Sequence, residues 1–133
     1  MRVLALSLIC IGSAIAAEVT QKDFDAFGLH WVQYSVGKYY APQSVRLSRS
    51  GFVRVWEIGN FDKPIAGALS VKMLTELDCK DLGVRTIQTT YFSDPGGVGE
   101  VIPFSDPDQK WFYPPPATTG ERLIKLVCDV QTN

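Results

Sequence analysis

Hydrophobic and polar residues alternate most regularly in ALSVKMLTELDC, residues 68–79. Every second residue from Leu69 to Leu77 belongs to a mainly apolar set, which also contains Thr75. A period of two residues is that of a β-strand with one face on a core. Cys79 has the parity of this set, so we expect its side chain to point toward the core. The pattern predicts one long, half-buried strand.

Further stretches are rich in aromatic and β-branched residues, which favour strands. They are residues 29–36, the pair Tyr39-Tyr40, residues 44–61 as two strands that turn near Ser50-Gly51, and residues 84–92. The turn near residue 50 has Ser and Gly at the positions where turns prefer them. Residues 84–92 follow the 68–79 strand after a short turn, so we expect these two strands to form a hairpin.

The period changes near the C-terminus, where a helix is predicted. Thr118 is a suitable N-cap, with Glu121 three residues later, directly after the prolines 114–116. At about 100° per residue, one side of this helix collects Leu123, Ile124, Val127, Cys128 and Val130. The sequence therefore predicts an α+β domain in which a C-terminal helix packs one face against an antiparallel sheet.

Residues 1–17 have the layout of a secretory signal peptide. Arg2 precedes an apolar run that ends at Ile11, and small residues follow up to Ala17. A buried strand or a membrane anchor is the alternative, but the run is shorter than the roughly 20 apolar residues that span a bilayer. We predict cleavage after Ala16 or Ala17, which leaves a single domain over residues 18–133 and no transmembrane segment. Cys10 is removed with the signal.

Export leaves two cysteines, Cys79 and Cys128, in an oxidising compartment. Such a pair is typical of one disulfide, which would tie the helix to the core face of the sheet. Two buried free thiols, a metal pair or a nucleophile are the alternatives. With His30 as the only imidazole, the chain has few ligands for a closed zinc site. No cofactor site is visible in the sequence.

The charge of the exported chain is nearly balanced. Removal of Arg2 from the 13 basic residues leaves 12 against 14 acidic ones, a net charge of −2 with no long run of either sign. Nucleic-acid binding proteins present a basic surface to the phosphate backbone. We therefore expect no nucleic-acid partner.

The glycine-rich stretch SDPGGVGE, residues 93–100, is the first candidate binding loop. Its candidate residues are Asp94, Gly96, Gly97, Gly99 and Glu100. A phosphate-binding glycine loop needs a helix N-terminus behind it, whereas EVIPF follows here and is extended in character. We therefore predict a turn between two strands. An anion-binding nest formed by the turn's amides remains an alternative.

A second candidate is the aromatic run Trp111, Phe112 and Tyr113, followed by three prolines. Aromatic residues of this kind complete a small core or, where exposed, form a patch that recognises proteins.

Catalytic residues are harder to find. His30 stands next to Trp31 in a predicted strand, where a structural role is favoured over a general base. We expect no enzyme.

The order of these segments resembles the surface-adhesin protein E family of proteobacteria. The likeness rests on Trp31 with Tyr39-Tyr40, residues 44–56, LDCK around Cys79, TTYFSDPGGVGEV (89–101), and Trp111 through the prolines to Cys128. It covers nearly all of the exported chain. The resemblance implies an antiparallel sheet of about six strands, with a C-terminal helix tied across one face by the disulfide.

The resemblance also implies a function. It implies an exposed lipoprotein adhesin that forms a dimer and binds host extracellular-matrix or serum proteins such as vitronectin and laminin. This chain departs from that pattern, because Ile9 stands before Cys10 where a lipid-acceptor signal has a small residue. Periplasmic or secreted residence is therefore considered beside the outer surface. A periplasmic enzyme inhibitor that acts through residues 93–100, or another envelope-protein interaction module, is the alternative function.

Overall fold

The computed structural model describes the backbone of residues 28–132 and the side chains of residues 28–129. Within these residues the chain forms seven strands, one α-helix and a short 3-10 helix (Pro42–Ser44): β1 (Val32–Ser35), β2 (Lys38–Tyr40), β3 (Arg46–Leu47), β4 (Val53–Ile65), β5 (Ala68–Asp78), β6 (Gly83–Asp94), β7 (Val98–Ile102) and α1 (Thr119–Thr132). The predicted signal peptide, 1–17, lies outside the described residues. It remains a prediction, as does the single domain 18–133.

All strand pairs are antiparallel, and the sheet order is β1-β2-β4-β5-β6-β7, with β3 paired to the start of β4. The expected hairpin of residues 68–79 with 84–92 is the β5–β6 pair. The predicted α+β fold is confirmed, with six strands in the main order and the two-residue β3 as the seventh. Strands β1 and β7 form the two edges of the main order.

Helix α1 packs against one face of the sheet, here called the helix face, and buries the main core there. Its buried residues are Tyr34, Tyr40, Val45, Val53, Val55, Leu77, Leu123, Ile124 and Val127. The helix residues Leu123, Ile124 and Val127 are those that the 100° pattern predicted. Burial of such side chains contributes roughly 1.5–3 kcal/mol each. The amphipathic helix is therefore held mainly by this packing.

A disulfide joins Cys79, directly after β5, to Cys128 on α1, with the Cα atoms 5.7 Å apart. Both cysteines pack against the core of the helix face. The predicted disulfide is confirmed, and the parity of Cys79 with Leu77 explains why its side chain reaches the helix. The alternatives of free thiols, a metal pair or a nucleophile do not apply to a bonded pair.

The opposite face of the sheet carries a second, smaller cluster. Trp31, Ala41 and Ile58 are buried there, and Leu29, Tyr39 and Trp56 pack against them. Strand β4 therefore has buried residues on both faces.

Several strand boundaries differ from the sequence prediction: β1 begins at Val32, the first strand of residues 44–61 is the two-residue β3, and β6 is Gly83–Asp94. Two of the differences have a clear local cause. Strand β1 ends at Ser35 because Val36 and Gly37 form the turn into β2, with Gly37 at φ +68°. Strand β4 continues four residues past Phe61, since Ile65 still pairs with Ala68. The intervening Ala66 and Gly67 have φ +47° and +86°. Positive φ at both central residues is typical of a tight hairpin turn whose twist matches that of the strands.

The predicted helix start at Thr118 is confirmed. The Glu121 amide donates to the Thr118 hydroxyl at 3.5 Å, a long and weak capping bond. In a capping box the carboxylate of Glu121 would also accept a hydrogen bond from the backbone amide of Thr118. Here it accepts from the amide of Ala117 instead, at 3.2 Å. The same carboxylate pairs with Lys125 at 3.0 Å.

Candidate functional site

The glycine-rich stretch is the turn that connects β6 to β7, as predicted. Gly96, Gly97 and Gly99 have φ +82°, +71° and +94°. Residues with a Cβ rarely adopt this region, so the glycines are required by the path of the turn. Of the other candidate residues, Asp94 ends β6 and Glu100 lies within β7, both exposed.

This turn is fixed to the sheet. The Gly96 amide donates to Asn60 Oδ1 at 2.8 Å, and the Gly97 amide donates to Ser70 Oγ at 2.9 Å. Ser70 in turn donates to the Asp94 carbonyl at 2.5 Å. Gly97 is buried. Because side-chain oxygens already accept from both amides, the anion-nest alternative loses its two central donors. The role of the loop in binding remains a prediction.

The three aromatic residues 111–113 lie in different environments. Trp111 is half-buried, with its ring centroid 4.8 Å from that of Phe52 and the Arg85 guanidinium 4.5 Å from its own centroid. Phe112 exchanges two 2.8 Å backbone hydrogen bonds with Val84, yet its side chain is 60% exposed. Tyr113 is 57% exposed. Trp111 therefore completes packing, and the other two rings remain available. Their role as a recognition patch remains a prediction.

Edge strand β7 carries an apolar surface that the sequence analysis did not identify. Val98 is 55% and Val101 is 62% exposed, and Phe104, two residues after the strand, is 41% exposed. The strand VGEVI contains one charge, Glu100, and neither proline nor lysine. Natural edge strands are usually protected by such residues. The signal was present in the sequence as extended EVIPF, but its position at an edge depends on the strand order.

Aromatic rings flank this edge on one face of the sheet, the face that Tyr91 shares with Ile102, whereas Val101 shares the other face with Phe92. The ring of Tyr91, on β6, lies 3.9 Å from that of Phe104, with the planes 25° apart. The ring centroid of Phe61, on β4, lies 6.2 Å from that of Tyr91. We call this edge, with the exposed Val98 and Val101 and the flanking rings of Phe104, Tyr91 and Phe61, the β7 surface. All five side chains are at least partly accessible.

Glu57 is a buried acid on the helix face, only 4% exposed. Its carboxylate accepts hydrogen bonds from Tyr34, at 2.5 Å, and from Thr75. Burial raises the pKa of Glu57 above its ordinary value, although these bonds and the charge of Lys38 act in the opposite direction. Burial and the nearby Glu57 charge raise the pKa of Tyr34 as well. The hydrogen bonds among Tyr34, Glu57 and Thr75 connect strands β1, β4 and β5, which is a structural role.

A second buried acid, Glu76, lies on the opposite face and is fully buried. Arg54, directly across on β4, contacts it at 2.8 Å, and Arg85, across on β6, contacts it at 2.5 Å. Burial alone would raise the pKa of Glu76, but the hydrogen bonds and charges of the two arginines lower it below the usual range. The sequence pattern placed Glu76 on the polar face and missed its burial.

Residues 28–132 contain neither a group of metal ligands nor a membrane-spanning helix. In this part of the chain, no three His, Cys, Asp or Glu residues are grouped so that they could hold a metal ion. No helix in these residues, α1 included, has the length and apolar character needed to cross a bilayer.

Comparison with known families decides the relationship. The sequence profile described as "Surface-adhesin protein E" matches residues 31–129. The chain belongs to the surface-adhesin protein E family. The match includes both cysteines, the glycine-rich turn, β7 and the aromatic run. Membership of a surface-adhesin family implies an exported protein that has protein partners.

Solved structures of protein E from Haemophilus influenzae share the fold. Crystal form II has a TM-score of 0.65 at 16% identity, covering 77% of this chain and 90% of that chain. A second structure of Haemophilus influenzae protein E gives 0.65 at 17% identity, with 75% and 84% covered. Protein E from a non-typeable strain gives 0.63 at 16% identity, with 74% and 75% covered. No curated protein sequence matches this chain significantly.

Proposed function

We propose that this chain is an exported, non-enzymatic domain that binds a host extracellular-matrix or serum protein through the β7 surface. The observation that carries the proposal is the unprotected edge strand, with Val98 and Val101 both more than half exposed. Membership of the adhesin family supports the class of partner. The apolar rings beside the edge supply contact area at a low cost in side-chain entropy.

The physical basis is strand addition. An edge strand presents unpaired N–H and C=O groups, and an extended segment of a partner pairs with them to lengthen the sheet. Alternate side chains of the added strand would then pack on Tyr91 and Phe104, whose stacked rings lie beside β7. Backbone pairing supplies affinity in this mode, and the flanking side chains supply specificity.

The alternative partner is a bacterial envelope protein, for example an enzyme inhibited by residues 93–100. An inhibitory loop has to protrude into its target. Here Gly97 is buried, and the amides of Gly96 and Gly97 bond to the sheet. This geometry supports loop insertion less well than strand addition.

The proposal is tested with purified vitronectin, laminin and other matrix and serum proteins, immobilised and probed with the exported domain. The variant Val101→Lys places a charge on the edge, whereas Val36→Lys, at a site 88% exposed in the β1–β2 turn, is the matched control. We expect V101K to weaken binding at least tenfold and V36K to bind as the unmodified domain does. Equal binding of both variants, or binding of none of these host proteins, contradicts the proposal.

Export and self-association are part of the same proposal. We expect the N-terminus of the exported protein to be Ala17 or Glu18, as measured by mass spectrometry. The family resemblance further predicts a dimer, which light scattering of the purified domain measures directly. If β7 is also the dimer edge, V101K will shift the population toward monomer. Whether the protein is periplasmic, displayed or secreted is decided by fractionation of cells.

A further inference from the structure

Three arginines line one pocket at the β3–β4 hairpin, away from the β7 surface. The pocket has a volume of about 500 Å³, and its lining consists of Arg46, Leu47, Ser48, Arg49, Ser50 and Arg54. No acidic side chain belongs to that lining. Arginine is the residue best suited to phosphate and sulfate groups, because its planar guanidinium donates two parallel hydrogen bonds.

The charges of the pocket are only partly compensated. Arg46 pairs directly across from Arg54 in the β3–β4 register. Like charges directly opposite each other are destabilising. Glu76 compensates Arg54, but it is also shared with Arg85. A bound anion would therefore relieve the repulsion between Arg46 and Arg54 that Glu76 does not remove.

Arg46 is held in place before any ligand binds. Nη1 of Arg46 donates to the carbonyls of Gln43, at 2.9 Å, and Val45, at 2.7 Å. The guanidinium carries three further N–H donors on Nε and Nη2. The hairpin itself is closed by backbone bonds from Ser48 to Phe52, at 2.7 Å, and from Gly51 to Ser48, at 3.0 Å. A site ordered in advance loses less entropy on binding.

Serine hydroxyls complete the site. Ser48 Oγ and Ser50 Oγ lie 2.9 Å apart, on either side of Arg49 at the tip of the hairpin. One hydroxyl donates to the other in this hydrogen bond, which leaves the accepting hydroxyl to donate to an oxygen of an anion. From this arrangement we propose that the pocket binds the oxyanion of a phosphate or sulfate ester, with Arg46 and Arg49 as its principal ligands. This inference is independent of the proposed protein-binding surface on β7.

The test is an NMR titration of the purified domain with inorganic phosphate and inorganic sulfate, at constant ionic strength held with chloride. The Nε–H signals of Arg46, Arg49 and Arg54, and the backbone amides of residues 48–51, are expected to shift and saturate. The double variant R46Q/R49Q should weaken binding at least about tenfold, since it removes both principal charged donors and charge-assisted hydrogen bonds are the stronger ones. Arg54 is left unchanged because it also pairs with Glu76.

The matched control is Arg122→Gln, which removes one charge from an exposed position on α1. Binding that survives in R122Q and is lost in R46Q/R49Q supports the site. Shifts that do not saturate, or that are equal in all variants, overturn it. Dextran sulfate and vesicles containing phosphatidic acid then separate the two sources of such a group, a sulfated polymer and a phosphorylated lipid.

Discussion

Cys128, on helix α1, is bonded to Cys79, 49 positions earlier and directly after strand β5. The bond closes the part of the chain that contains β6, β7 and the whole connection to the helix. In the loop-entropy account, closing a loop of this length stabilises the folded state by about 4 kcal/mol.

Removal of the disulfide is therefore expected to lower the melting temperature by about 15 °C. The double variant Cys79→Ser/Cys128→Ser avoids a reactive single thiol, and calorimetry measures the change. Mass spectrometry without reduction should find both cysteines in one cross-linked peptide. Free thiols at both positions in the exported protein would contradict the disulfide-tied helix.

The Glu76 ion pairs provide the second prediction. Glu76→Gln leaves Arg54 and Arg85 without their carboxylate, and we expect the free energy of unfolding to fall by about 1–2 kcal/mol. This is below the roughly 3–5 kcal/mol typical of a broken buried pair, because the Arg54 side chain is 42% exposed. Glu121→Gln, which removes the carboxylate that pairs with the exposed Lys125, is the control and should have a clearly smaller effect. Equal effects of the two variants would contradict the assigned role of Glu76.

The pH dependence of this pair has a definite sign. Because folding lowers the pKa of Glu76, its stabilisation is fully present above the ordinary glutamate pKa of about 4.3 and is lost as the pH falls further. Urea unfolding at a series of pH values measures the loss. The difference between the unmodified domain and E76Q should shrink toward low pH.

Glu57 predicts the opposite trend. Folding raises its pKa, so the folded state keeps the proton to a higher pH than the unfolded chain does. Stability is then lost as the pH rises from about 4.3 through the raised pKa. We expect Glu57→Gln to gain stability relative to the unmodified domain over that range, as measured by melting temperature. A difference that stays constant between pH 4 and pH 8 would show that Glu57 does not titrate in this way.

The glycine turn offers a matched pair of substitutions. A Cβ at Gly96 would meet no atom within 4 Å, so Gly96→Ala tests the positive φ alone and should cost about 1 kcal/mol. A Cβ at Gly99 would lie 2.5 Å from Ser93 Oγ and 2.7 Å from Asp94 Oδ2. Gly99→Ala should therefore cost clearly more, because it also displaces the Ser93 hydroxyl that accepts from the Glu100 amide. Urea denaturation that ranks G96A as the worse variant would contradict this geometry.

The sequence predicted those parts of the fold that depend on local periodicity. Strand β5 follows from the alternation around Leu77, and that alternation also aims Cys79 at the helix. The helix follows from the cap at Thr118 and the apolar side that includes Ile124. These signals are complete within a few turns or strand residues, so no knowledge of distant partners was needed.

The candidate site depended on contacts between distant segments, which periodicity does not contain. The alternation of β5 puts Glu76 on its polar face, and its burial depends on the strand register, which places Arg54 and Arg85 on either side of it. Glu57 looked like an ordinary strand residue until Thr75, opposite Val55, reached its carboxylate. Likewise, the exposure of Val101 follows from β7 being the last strand in the sheet. A local sequence pattern does not determine strand order.

The most direct test of the central claim is amide hydrogen exchange of the exported domain, alone and bound to the host protein that retains it most tightly. We predict new protection concentrated in Val98–Ile102, the edge that a partner strand would cover, with helix α1 unchanged. Protection confined to α1 or to residues 111–113 would place the partner elsewhere. Absence of any protecting host protein from the panel would contradict the adhesin function itself.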